Sequence, residues 1–329
     1  MTQPSIFITR TLTDAGPRAL EAAGYHVDVY PEDHIIPRQE LLKGVVGRDA
    51  ILSLLTDQID AEVMDAAGPE LKIIANYAVG FDNIDLSAAR ERHIIVTNTP
   101  APEVTETVAE HTIALLLSLA HRIPEADHYT RTDKYHGWSP TLLLGTDVHD
   151  KTLGIIGAGR IGTAVVERAV KGLRMRCVYS ANKRDQHLET ACGATFVSLA
   201  TLLETSDFIS LHVPLLPSTQ HMISTDAFSL MKKTAYIINT SRGPIIDEKA
   251  LLRALKTKRI AGAALDVYEC EPSIDCDLSD RLELKTFTNV ILTPHTASAT
   301  IEARQAMSQL AADNIIAVLQ GKPPLTPAV

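Results

Sequence analysis

The sequence predicts an α/β protein built from two doubly wound parallel sheets. Short apolar runs alternate with helical patterns from one end of the chain to the other. A glycine-rich turn lies between a strand and a helix near the middle of the chain, and a stretch with two prolines precedes it. Together these observations predict two domains with a ligand cleft between them.

The first group of strands occupies the beginning of the chain. Helical stretches such as "DAGPRALEAAG" separate these strands, as a parallel sheet with covering helices requires. The predicted strands are "SIFIT", "HVDVY", "AILSLL", "LKIIAN" and "HIIVTN". Pro100 and Pro102 then fit a domain boundary, and a long helix follows with Val104, Val108 and Leu119 on one face.

The second group of strands begins after an irregular segment. Between Ile123 and Asp150 the helical periodicity fails, and the only tryptophan, Trp138, lies there. We expect a long functional loop that covers a site or packs on a partner chain. Six strands follow from Lys151 onward: "TLGIIG", "MRCVYS", "DFISLHVP", "AYIINTS", "IAGAALDV" and "NVILTPH". A final helix is expected from about Thr300 to Gln320.

These two groups predict an inserted domain. We expect residues 101–293 to form a nucleotide-binding domain, and residues 1–100 and 294–329 to form a substrate domain around it. The chain would cross into the inserted domain once and return once.

Composition excludes several classes of protein. The chain has 329 residues, 45% apolar and 22% charged, as expected for a globular protein of two domains. The net charge of −9 argues against a nucleic-acid surface. The longest apolar run, "IALLLSLA", is too short to span a membrane, and no signal peptide is visible. The four cysteines, at 177, 192, 270 and 276, show neither a CxxC pair nor metal-ligand spacing. We therefore expect free thiols, no metal site and a cytoplasmic location.

A phosphate-binding loop is the most specific local motif. "GIIGAGRIG" places Gly157, Gly159 and Gly162 in the GxGxxG spacing, directly after a predicted strand and before a predicted helix. The glycines permit a tight turn and allow backbone amides to approach a pyrophosphate at the helix N-terminus. The inserted domain is therefore predicted to be a Rossmann domain, and the domain around it a flavodoxin-like one.

The stretch "YSANKR" ends the next strand, where many such domains carry an acidic residue that holds the adenosine ribose. Here Ser180 can donate to a 2′-phosphate, while Asn182, Lys183 and Arg184 can surround its oxygens. We therefore expect NADP(H) to be preferred and NAD(H) to be an alternative cofactor. A solvated basic turn is the competing interpretation.

Three residues at later strand ends suit the reduction of a 2-oxo acid. Arg242 follows "AYIIN", and an arginine can bind a carboxylate bidentately and polarise the adjacent carbonyl. His295 follows "NVIL" and is suited to giving a proton to the carbonyl oxygen. Glu271 follows Asp266, and a carboxylate beside the imidazole would favour its charged form. Asp266 itself is either a helix cap or a ligand on the nicotinamide side.

The chain resembles the D-isomer-specific 2-hydroxyacid dehydrogenases over nearly its whole length. The resemblance rests on "NYAVGFDNID", "NTP", "GIIGAGRIG", "HVPL", "NTSRG", "LDVYECEP" and "TPHTASAT". Within this family the chain is most similar to glyoxylate/hydroxypyruvate reductases, including members that reduce 2-keto-D-gluconate. Thr296 and Ala297 stand where the family commonly has isoleucine and glycine, so packing beside His295 is expected to differ.

The resemblance implies roles for the catalytic residues. It implies that Arg242 binds the substrate carboxylate and carbonyl, that Glu271 tunes His295, and that His295 is the proton donor. The backbone amides of Val79 and Gly80 would hold the carboxylate from the substrate domain.

The resemblance also implies the substrate pocket and the cofactor contacts. The substrate side chain is expected near Leu54, Tyr77 and Trp138. Trp138 matches a tryptophan that reaches into the neighbouring subunit's site, which implies a homodimer. The further residues expected at the cofactor are Thr107, Arg160, Ile161, His212, Val213, Pro214, Thr219, Thr240, Ser241, Asp266 and Ala297.

Two alternatives to a small-substrate reductase stay open at this point. One is a D-2-hydroxyacid dehydrogenase for a bulkier 2-oxo acid, since the pocket residues lie mostly on loops. The other is a corepressor-type binding protein that senses the nucleotide on the same fold, because such relatives keep the same arginine, glutamate and histidine. Turnover of NADPH with glyoxylate would separate the second alternative from an enzyme.

Overall fold

The structure, a computed structural model, describes residues 3–271 and 283–328. The chain forms two compact units. The split unit combines Met1–Val104 with Ala299–Val329, and the continuous unit is Thr105–Ser298. The predicted α/β class with two parallel sheets is confirmed.

The split unit contains a five-stranded parallel sheet in the order β2-β1-β3-β4-β5. Its strands are β1 (Ser5–Ile8), β2 (His26–Val29), β3 (Ala50–Leu54), β4 (Ile73–Tyr77) and β5 (Ile95–Thr97). Its helices are α1 (Ala15–Ala22), α2 (Arg38–Gly44), α3 (Ala61–Ala67), α4 (Leu86–Glu91) and, at the end of the chain, α12 (Ile301–Leu319). The long helix α5 (Pro102–Ala120) begins in this unit and continues into the other.

The continuous unit contains a seven-stranded parallel sheet in the order β12-β11-β10-β9-β6-β7-β8. Its strands are β6 (Thr152–Ile156), β7 (Arg176–Ser180), β8 (Thr195–Phe196), β9 (Phe208–Leu211), β10 (Tyr236–Asn239), β11 (Gly262–Leu265) and β12 (Val290–Leu292). Its further helices are α6 (Ile123–Arg131), α7 (Arg160–Glu167), α8 (Gln186–Cys192), α9 (Leu199–Thr205), α10 (Thr225–Leu230) and α11 (Glu248–Lys256). A π-helical turn (Arg168–Gly172) extends α7, and a short 3₁₀ turn (Gly243–Ile245) precedes α11.

Both faces of the seven-stranded sheet are covered, which explains why its central strands are apolar throughout. Successive residues of a strand point to opposite faces. Ile237 accordingly lies in a hydrophobic cluster with residues of α9, α10 and α11, while its neighbour Ile238 lies in a second cluster with residues of α5, α7 and α8. Strand β9 is buried along its whole length because it has a helical layer on each side.

Several helices begin at the residue type that caps them. The side chains of Asp60, Asp185, Asp247 and Thr300 each accept a hydrogen bond from a backbone amide in the first turn of the helix that follows. Such caps satisfy amides that have no partner within the helix. The cap at Thr300 places the start of α12 where the sequence predicted the final helix.

Two expectations from the sequence are wrong. The segment from Ile123 was expected to be a loop, yet it begins with α6, none of whose residues is buried. Polar contacts within or beside this helix replace an apolar stripe: Arg131 pairs with Asp127, and Arg122 with Glu125. The cysteines were expected to be free, yet Cys270 is disulfide-bonded, because pairing depends on distance in space rather than on spacing in the chain. Cys177 and Cys192 are free and buried, and Cys276 lies outside the described residues.

In the part of the chain that the structure describes, no helix is long and apolar enough to cross a membrane.

Candidate active site

The strands of the continuous unit end at one common edge, and this edge carries most of the predicted site. Six residues are paired in register across the sheet, in the order Ser180, Ile156, Leu211, Asn239, Leu265 and Leu292. The residue that follows each of them therefore lies at the carboxyl edge of the sheet, where doubly wound proteins bind ligands.

The glycine loop joins β6 to α7 with the geometry that a pyrophosphate site needs. Gly157 has a φ of 98°, and a Cβ built on it would lie 2.4 Å from the carbonyl oxygen of His212. A Cβ on Gly162 would lie 2.1 Å from the carbonyl oxygen of Gly157, so this glycine lets the helix approach the strand. Gly159 is the N-cap of α7, and a Cβ there would meet nothing within 4 Å. The loop thus leaves open space beside the helix N-terminus, which fits a dinucleotide phosphate. Arg160 and Ile161 form the first turn of α7.

The residues expected at the 2′-phosphate follow β7. Ser180 is the last residue of that strand, and its carbonyl accepts a hydrogen bond of 2.9 Å from the amide of Gly157. Asn182, Lys183 and Arg184 are exposed on the turn that follows. The structure therefore places this turn directly beside the glycine loop.

One of these cations has a partner that the sequence analysis missed. Arg184 binds Glu189 on α8 through both Nε and Nη2, at 2.9 and 2.8 Å. Glu189 also accepts a hydrogen bond of 2.8 Å from the hydroxyl of Tyr179. The pKa of Glu189 is lowered, chiefly by the hydrogen bond from Arg184. No sequence signal identified Glu189, because its contact with Arg184 depends on how the chain turns from β7 into the first turn of α8.

The stretch after β9 lies on the other side of the glycine loop. The amide of His212 donates to the carbonyl of Ile156 at 2.7 Å, which brings Val213 and Pro214 beside β6. Desolvation lowers the pKa of the His212 imidazole to about 4, and its Nε2 lies 2.8 Å from the hydroxyl of Ser210. His212 is therefore neutral near pH 7.

Several hydroxyl groups expected at the cofactor already have partners in the chain. Thr219 donates to the carbonyl of Pro214 at 2.7 Å and accepts from the amide of Leu216, so it stabilises its own turn. The hydroxyl of Thr240 lies 3.0 Å from that of Thr112, and Ser241 donates to the carbonyl of Val213. Thr107 lies half-buried on α5.

Arg242 is held by the loop after β10. The buried side chain of Asn239 donates to the carbonyl of Arg242 at 2.9 Å and accepts from the amide of Ser241 at 3.0 Å. Gly243 follows, and a Cβ there would lie 1.8 Å from the carbonyl oxygen of Tyr268. Only glycine therefore allows the Arg242 loop to pack against the segment that leads to Glu271.

His295 and Glu271 form a direct pair. Nδ1 of His295 lies 2.7 Å from Oε2 of Glu271, and the two side chains are 26% and 25% exposed. This exposure is small enough to limit screening by water and large enough for the imidazole to reach a substrate. Because the carboxylate holds Nδ1, Nε2 is the nitrogen left to exchange a proton with a ligand.

Asp266 holds the turn that carries His295. This fully buried carboxylate accepts hydrogen bonds from the hydroxyl of Thr293 at 2.6 Å and from the amides of Thr296 and Ala297 at 2.8 Å each. The amide of His295 donates to the carbonyl of Asp266 at 2.8 Å. The sequence analysis gave two interpretations of Asp266, a helix cap and a ligand on the nicotinamide side. The structure shows a third role, in which Asp266 fixes the turn that carries His295. Its predicted contact with the nicotinamide stays a prediction.

In the split unit, Val79 and Gly80 follow β4 in a loop where the carbonyl groups of Ala78, Val79 and Gly80 each accept a hydrogen bond. The amide of Thr99 donates to the carbonyl of Ala78 at 2.8 Å, and the side chain of Asn98 donates to that of Val79 at 2.7 Å. The side chain of Asn76 donates to the carbonyl of Gly80 at 3.0 Å. In a trans peptide the N–H points away from the preceding carbonyl, so these bonds also fix the directions of the Val79 and Gly80 amides.

The predicted pocket residues differ in exposure. Leu54 ends β3 and is partly exposed. Tyr77 ends β4 and is buried, and its hydroxyl donates to the carbonyl of Arg304 at 2.9 Å. Trp138, in the continuous unit, is 82% exposed. Its indole is thus free to contact another molecule. Among the described residues there is no group of three or more side chains that could hold a metal ion.

The glycine loop, the neighbouring strand ends and the Glu271–His295 pair define an oxidoreductase that uses a nicotinamide dinucleotide. Comparison with known proteins gives the family. Residues 113–297 match the family described as "D-isomer specific 2-hydroxyacid dehydrogenase, NAD binding domain". The chain belongs to this family and is an NAD(P)-dependent oxidoreductase.

Individual relatives match over nearly the whole chain. The glyoxylate reductase of Thermococcus kodakarensis is 47% identical over 328 residues, which cover 98% of this chain and 96% of the relative. The crystal structure of the TT0316 protein from Thermus thermophilus is 41% identical, with a TM-score of 0.90 and coverage of 99% of this chain and 100% of that one. The D-lactate dehydrogenase of Aquifex aeolicus, solved with NAD and lactic acid, is 32% identical, with a TM-score of 0.83 and 96% of each chain covered.

Proposed function

We propose that this protein reduces a small 2-oxo acid to the corresponding D-2-hydroxy acid, with NADPH as the preferred cofactor. The Glu271–His295 pair, at the carboxyl edge that also carries Arg242 and the glycine loop, is the observation on which the proposal rests. The candidate substrates are glyoxylate, hydroxypyruvate and 2-keto-D-gluconate. The glyoxylate reductase of Thermococcus kodakarensis supports the first of these as a substrate class.

Arg242 binds and polarises the substrate in this proposal. One of its terminal nitrogens, Nη1, donates to the carbonyl of Ser241 at 3.0 Å, which limits rotation of the guanidinium group. A planar guanidinium binds a carboxylate with two parallel hydrogen bonds and draws electron density from the adjacent carbonyl. The carbonyl carbon then accepts a hydride more readily.

His295 supplies the proton. A reduced nicotinamide dinucleotide held at the glycine loop, residues 157–162, would supply the hydride that the carbonyl carbon accepts. The oxygen that becomes negative takes the proton from Nε2 of His295, while Glu271 keeps its bond to Nδ1. The imidazole ends neutral and regains a proton from solvent before the next turnover. Both electrons of the reduction come from the cofactor, and the proton comes from the protein.

The preference for NADPH rests on the turn after β7. No acidic residue ends this strand, and its last residue, Ser180, is followed in the chain by the amide Asn182 and the cation Lys183, both exposed. A carboxylate at this position would repel a 2′-phosphate. Arg184 binds Glu189, so in this proposal Lys183 makes the first ionic contact and Arg184 adds to it when it leaves Glu189.

A homodimer is part of the proposal, together with the sequence-based expectation of a cytoplasmic location. The segment from α6 to Leu144 exposes Ile123, Tyr135 and Leu144 as well as Trp138, at 51%, 54%, 65% and 82%. Exposed apolar residues grouped in one segment are typical of a protein interface. Light scattering should give a mass near twice 35.7 kDa, and a fully active monomer would exclude a role for a partner subunit.

The proposed function is tested by a steady-state screen. The three candidate substrates and a longer unbranched 2-oxo acid are each measured with NADPH and with NADH. We expect turnover with at least one small 2-oxo acid and at least a tenfold higher kcat/KM with NADPH, which corresponds to about 1.4 kcal/mol. Equal efficiency with both cofactors would remove the proposed 2′-phosphate site. Absence of turnover with every 2-oxo acid would remove the proposed reaction.

A further inference from the structure

The side chain of Arg10 has two buried guanidinium nitrogens, Nε and Nη2, that donate to no acceptor among the described residues. It follows β1 by two residues, and its Nε and Nη2 atoms are buried. Neither atom has a hydrogen-bond partner among residues 3–271 and 283–328. Burying a charged donor without a partner is unfavourable, so such a group in a folded protein calls for an explanation, and a bound anion is one.

The unpaired edge is the one that other arginines of this chain use to bind carboxylates. Arg92 contacts Asp65 through Nε and Nη2 at 2.7 and 2.9 Å. Arg122 contacts Glu125 with the same two nitrogens at 2.8 Å each, as Arg184 does with Glu189. These two donors are parallel and match the spacing of two oxygens on one carboxylate or phosphate. Arg10 therefore offers an oxyanion site of the same type.

The buried carboxylate of Asp57 accepts no hydrogen bond from Nε or Nη2 of Arg10. Asp57 is 3% exposed, and its carboxylate accepts hydrogen bonds from the hydroxyl of Thr9 and from the amide of Leu54. Burial raises the pKa of Asp57, and the charge of Arg10 is among the weaker influences that oppose this rise. Asp57 thus offsets part of the charge of Arg10 but leaves the two donors unused.

The position of Arg10 in the sheet is the second observation. The chain leaves β1 toward β2 on one side, and β3 lies on the other side, so the strand order reverses at β1 and β3. In doubly wound sheets, ligands bind outside the carboxyl ends of the strands at this reversal. Arg10 follows β1 at its carboxyl end, and Leu54 is the last residue of β3.

A second cation lies at the same edge of the split unit. The guanidinium of Arg304 lies 5.9 Å from the centroid of the Tyr77 ring, and Tyr77 ends β4. The carbonyl of Arg304 accepts from the hydroxyl of Thr13, in the segment that joins Arg10 to α1. The carboxyl edge of this sheet therefore combines two arginines with one buried aspartate.

We propose that Arg10 is a specificity-determining residue that binds a second oxyanion, a carboxylate or a phosphate, at the far end of the 2-oxo acid. This inference rests on the proposed function, and on the expectation from the family resemblance that the Val79 and Gly80 amides after β4 hold the first carboxylate. Strands β1 and β4 are two places apart in the sheet, which separates them by about 10 Å. A substrate that contacts both strand ends is therefore longer than glyoxylate and carries a charged group at each end.

The experiment compares substrates that differ only at the far end. One pair is 2-oxoadipate and 2-oxohexanoate, which are similar in length and differ by a terminal carboxylate. The other pair is phosphohydroxypyruvate and hydroxypyruvate, which differ by a phosphate. For each pair kcat/KM is measured with NADPH in the parent protein, in Arg10→Gln and in Arg10→Lys. Arg18→Gln is the matched control, because Arg18 is 76% exposed on α1 and pairs only with Asp14 among the described residues.

We expect the parent and Arg18→Gln to prefer the charged member of at least one pair by tenfold or more. Arg10→Gln should lose at least tenfold of this preference, mainly through KM, and Arg10→Lys should recover only part of it because lysine lacks the planar fork. The pair that responds identifies carboxylate or phosphate as the bound group. No preference in the parent, or an equal loss on all four substrates in Arg10→Gln, would overturn the proposal.

A binding measurement separates this inference from the proposed function. Adipate and inorganic phosphate are titrated into the parent and into Arg10→Lys at constant ionic strength, and the rise in Tm is recorded. A rise for the parent that is at least halved in Arg10→Lys supports an oxyanion site even if no 2-oxo acid is reduced. Equal rises in Tm for the parent and for Arg10→Lys would reject the site. This comparison does not need Arg10→Gln, so it remains decisive if that variant does not fold.

Discussion

At the scale of single residues, the conformation of His295 shows how the site is maintained. Its φ of 54° lies in the left-handed region, which is unfavourable for a residue with a side chain. Asp266 stabilises this conformation by binding the hydroxyl before His295 and the two amides after it. The position of the proposed proton donor therefore depends on Asp266, a buried carboxylate whose hydrogen bonds go to the backbone and hydroxyl groups around His295.

His295→Asn tests the role of the proton donor. Asparagine tolerates a left-handed backbone, so the turn should persist while the acidic group is lost. We expect kcat for 2-oxo acid reduction to fall by about 10² or more, with cofactor binding retained. Steady-state kinetics and cofactor titration measure the two effects, and His121→Asn, an exposed histidine at the end of α5, serves as the control. Near-normal turnover in His295→Asn would remove His295 from the mechanism.

Glu189→Gln tests how the chain selects its cofactor. Nε and Nη2 of Arg184 both donate to Glu189, so in the proposed cofactor site this glutamate would compete with a 2′-phosphate for the same cation. Removing its charge should release Arg184 and raise the ratio of kcat/KM for NADPH over NADH about threefold or more. The advantage should shrink at high salt, since exposed charges are screened. A ratio that falls or stays unchanged would mean that Arg184 does not read the phosphate.

The residues of the site were predictable to different degrees. Arg242 and His295 each come three residues after the end of a strand, so strand-end reasoning and the family resemblance predicted them as one site together with Glu271. Of the contacts within this predicted site, the structure shows the one between Glu271 and His295. The absence of an acceptor for Nε and Nη2 of Arg10 among the described residues, and the partner of Arg184, were not predictable. A side-chain hydrogen bond such as that between Arg184 and Glu189 depends on rotamers and on how a turn closes, which the sequence does not display.

At the scale of elements, the register of the seven-stranded sheet explains why a candidate site could be predicted at its carboxyl edge. Asn239, Leu265 and Leu292 are aligned in neighbouring strands, so residues a few positions after them must lie near one edge. The helix α6 was missed for the opposite reason. It buries no residue, so it has no apolar periodicity for a sequence reading to detect.

Two glycine substitutions in the phosphate loop should have different effects. In Gly162→Ala the new Cβ would lie 2.1 Å from a backbone oxygen, so α7 must move and Tm should fall by several degrees or more. In Gly159→Ala the new Cβ meets no atom of the chain within 4 Å, so Tm without cofactor should change little. Its cofactor Kd should nevertheless rise about tenfold, because the methyl group occupies space beside the helix N-terminus. Unchanged cofactor binding in Gly159→Ala would place the pyrophosphate elsewhere.

At the scale of the whole molecule, His212 should contribute to loss of stability in acid. Its pKa is about 4 in the folded protein, against an ordinary value of 6.5, because desolvation disfavours the charged imidazole. The folded state therefore binds this proton less readily than the unfolded chain. The stability associated with neutral His212 is complete above about pH 6.5 and is lost as the pH falls toward 4.

His212→Gln should reduce this acid sensitivity. The difference between the two pKa values corresponds to about 3 kcal/mol at most. Urea unfolding at pH 7.5 and at pH 4.5 measures the change, with His187→Gln, an exposed histidine on α8, as the control. We expect the drop in unfolding free energy between the two pH values to be about 1–3 kcal/mol smaller in His212→Gln than in the parent or the control. Identical drops would show that His212 is not held neutral by the fold.

In the proposed reaction, the Glu271–His295 pair and Arg242 reduce a 2-oxo acid to a D-2-hydroxy acid with a hydride from NADPH. The most direct measurement is the enantiomer of the product formed from hydroxypyruvate and NADPH, determined by chiral chromatography together with the oxidation of the cofactor. We predict one D-glycerate per NADPH oxidised, and loss of product formation in Arg242→Gln. L-glycerate or a racemic product would exclude a D-specific reductase. Full activity in Arg242→Gln would exclude the proposed role of Arg242.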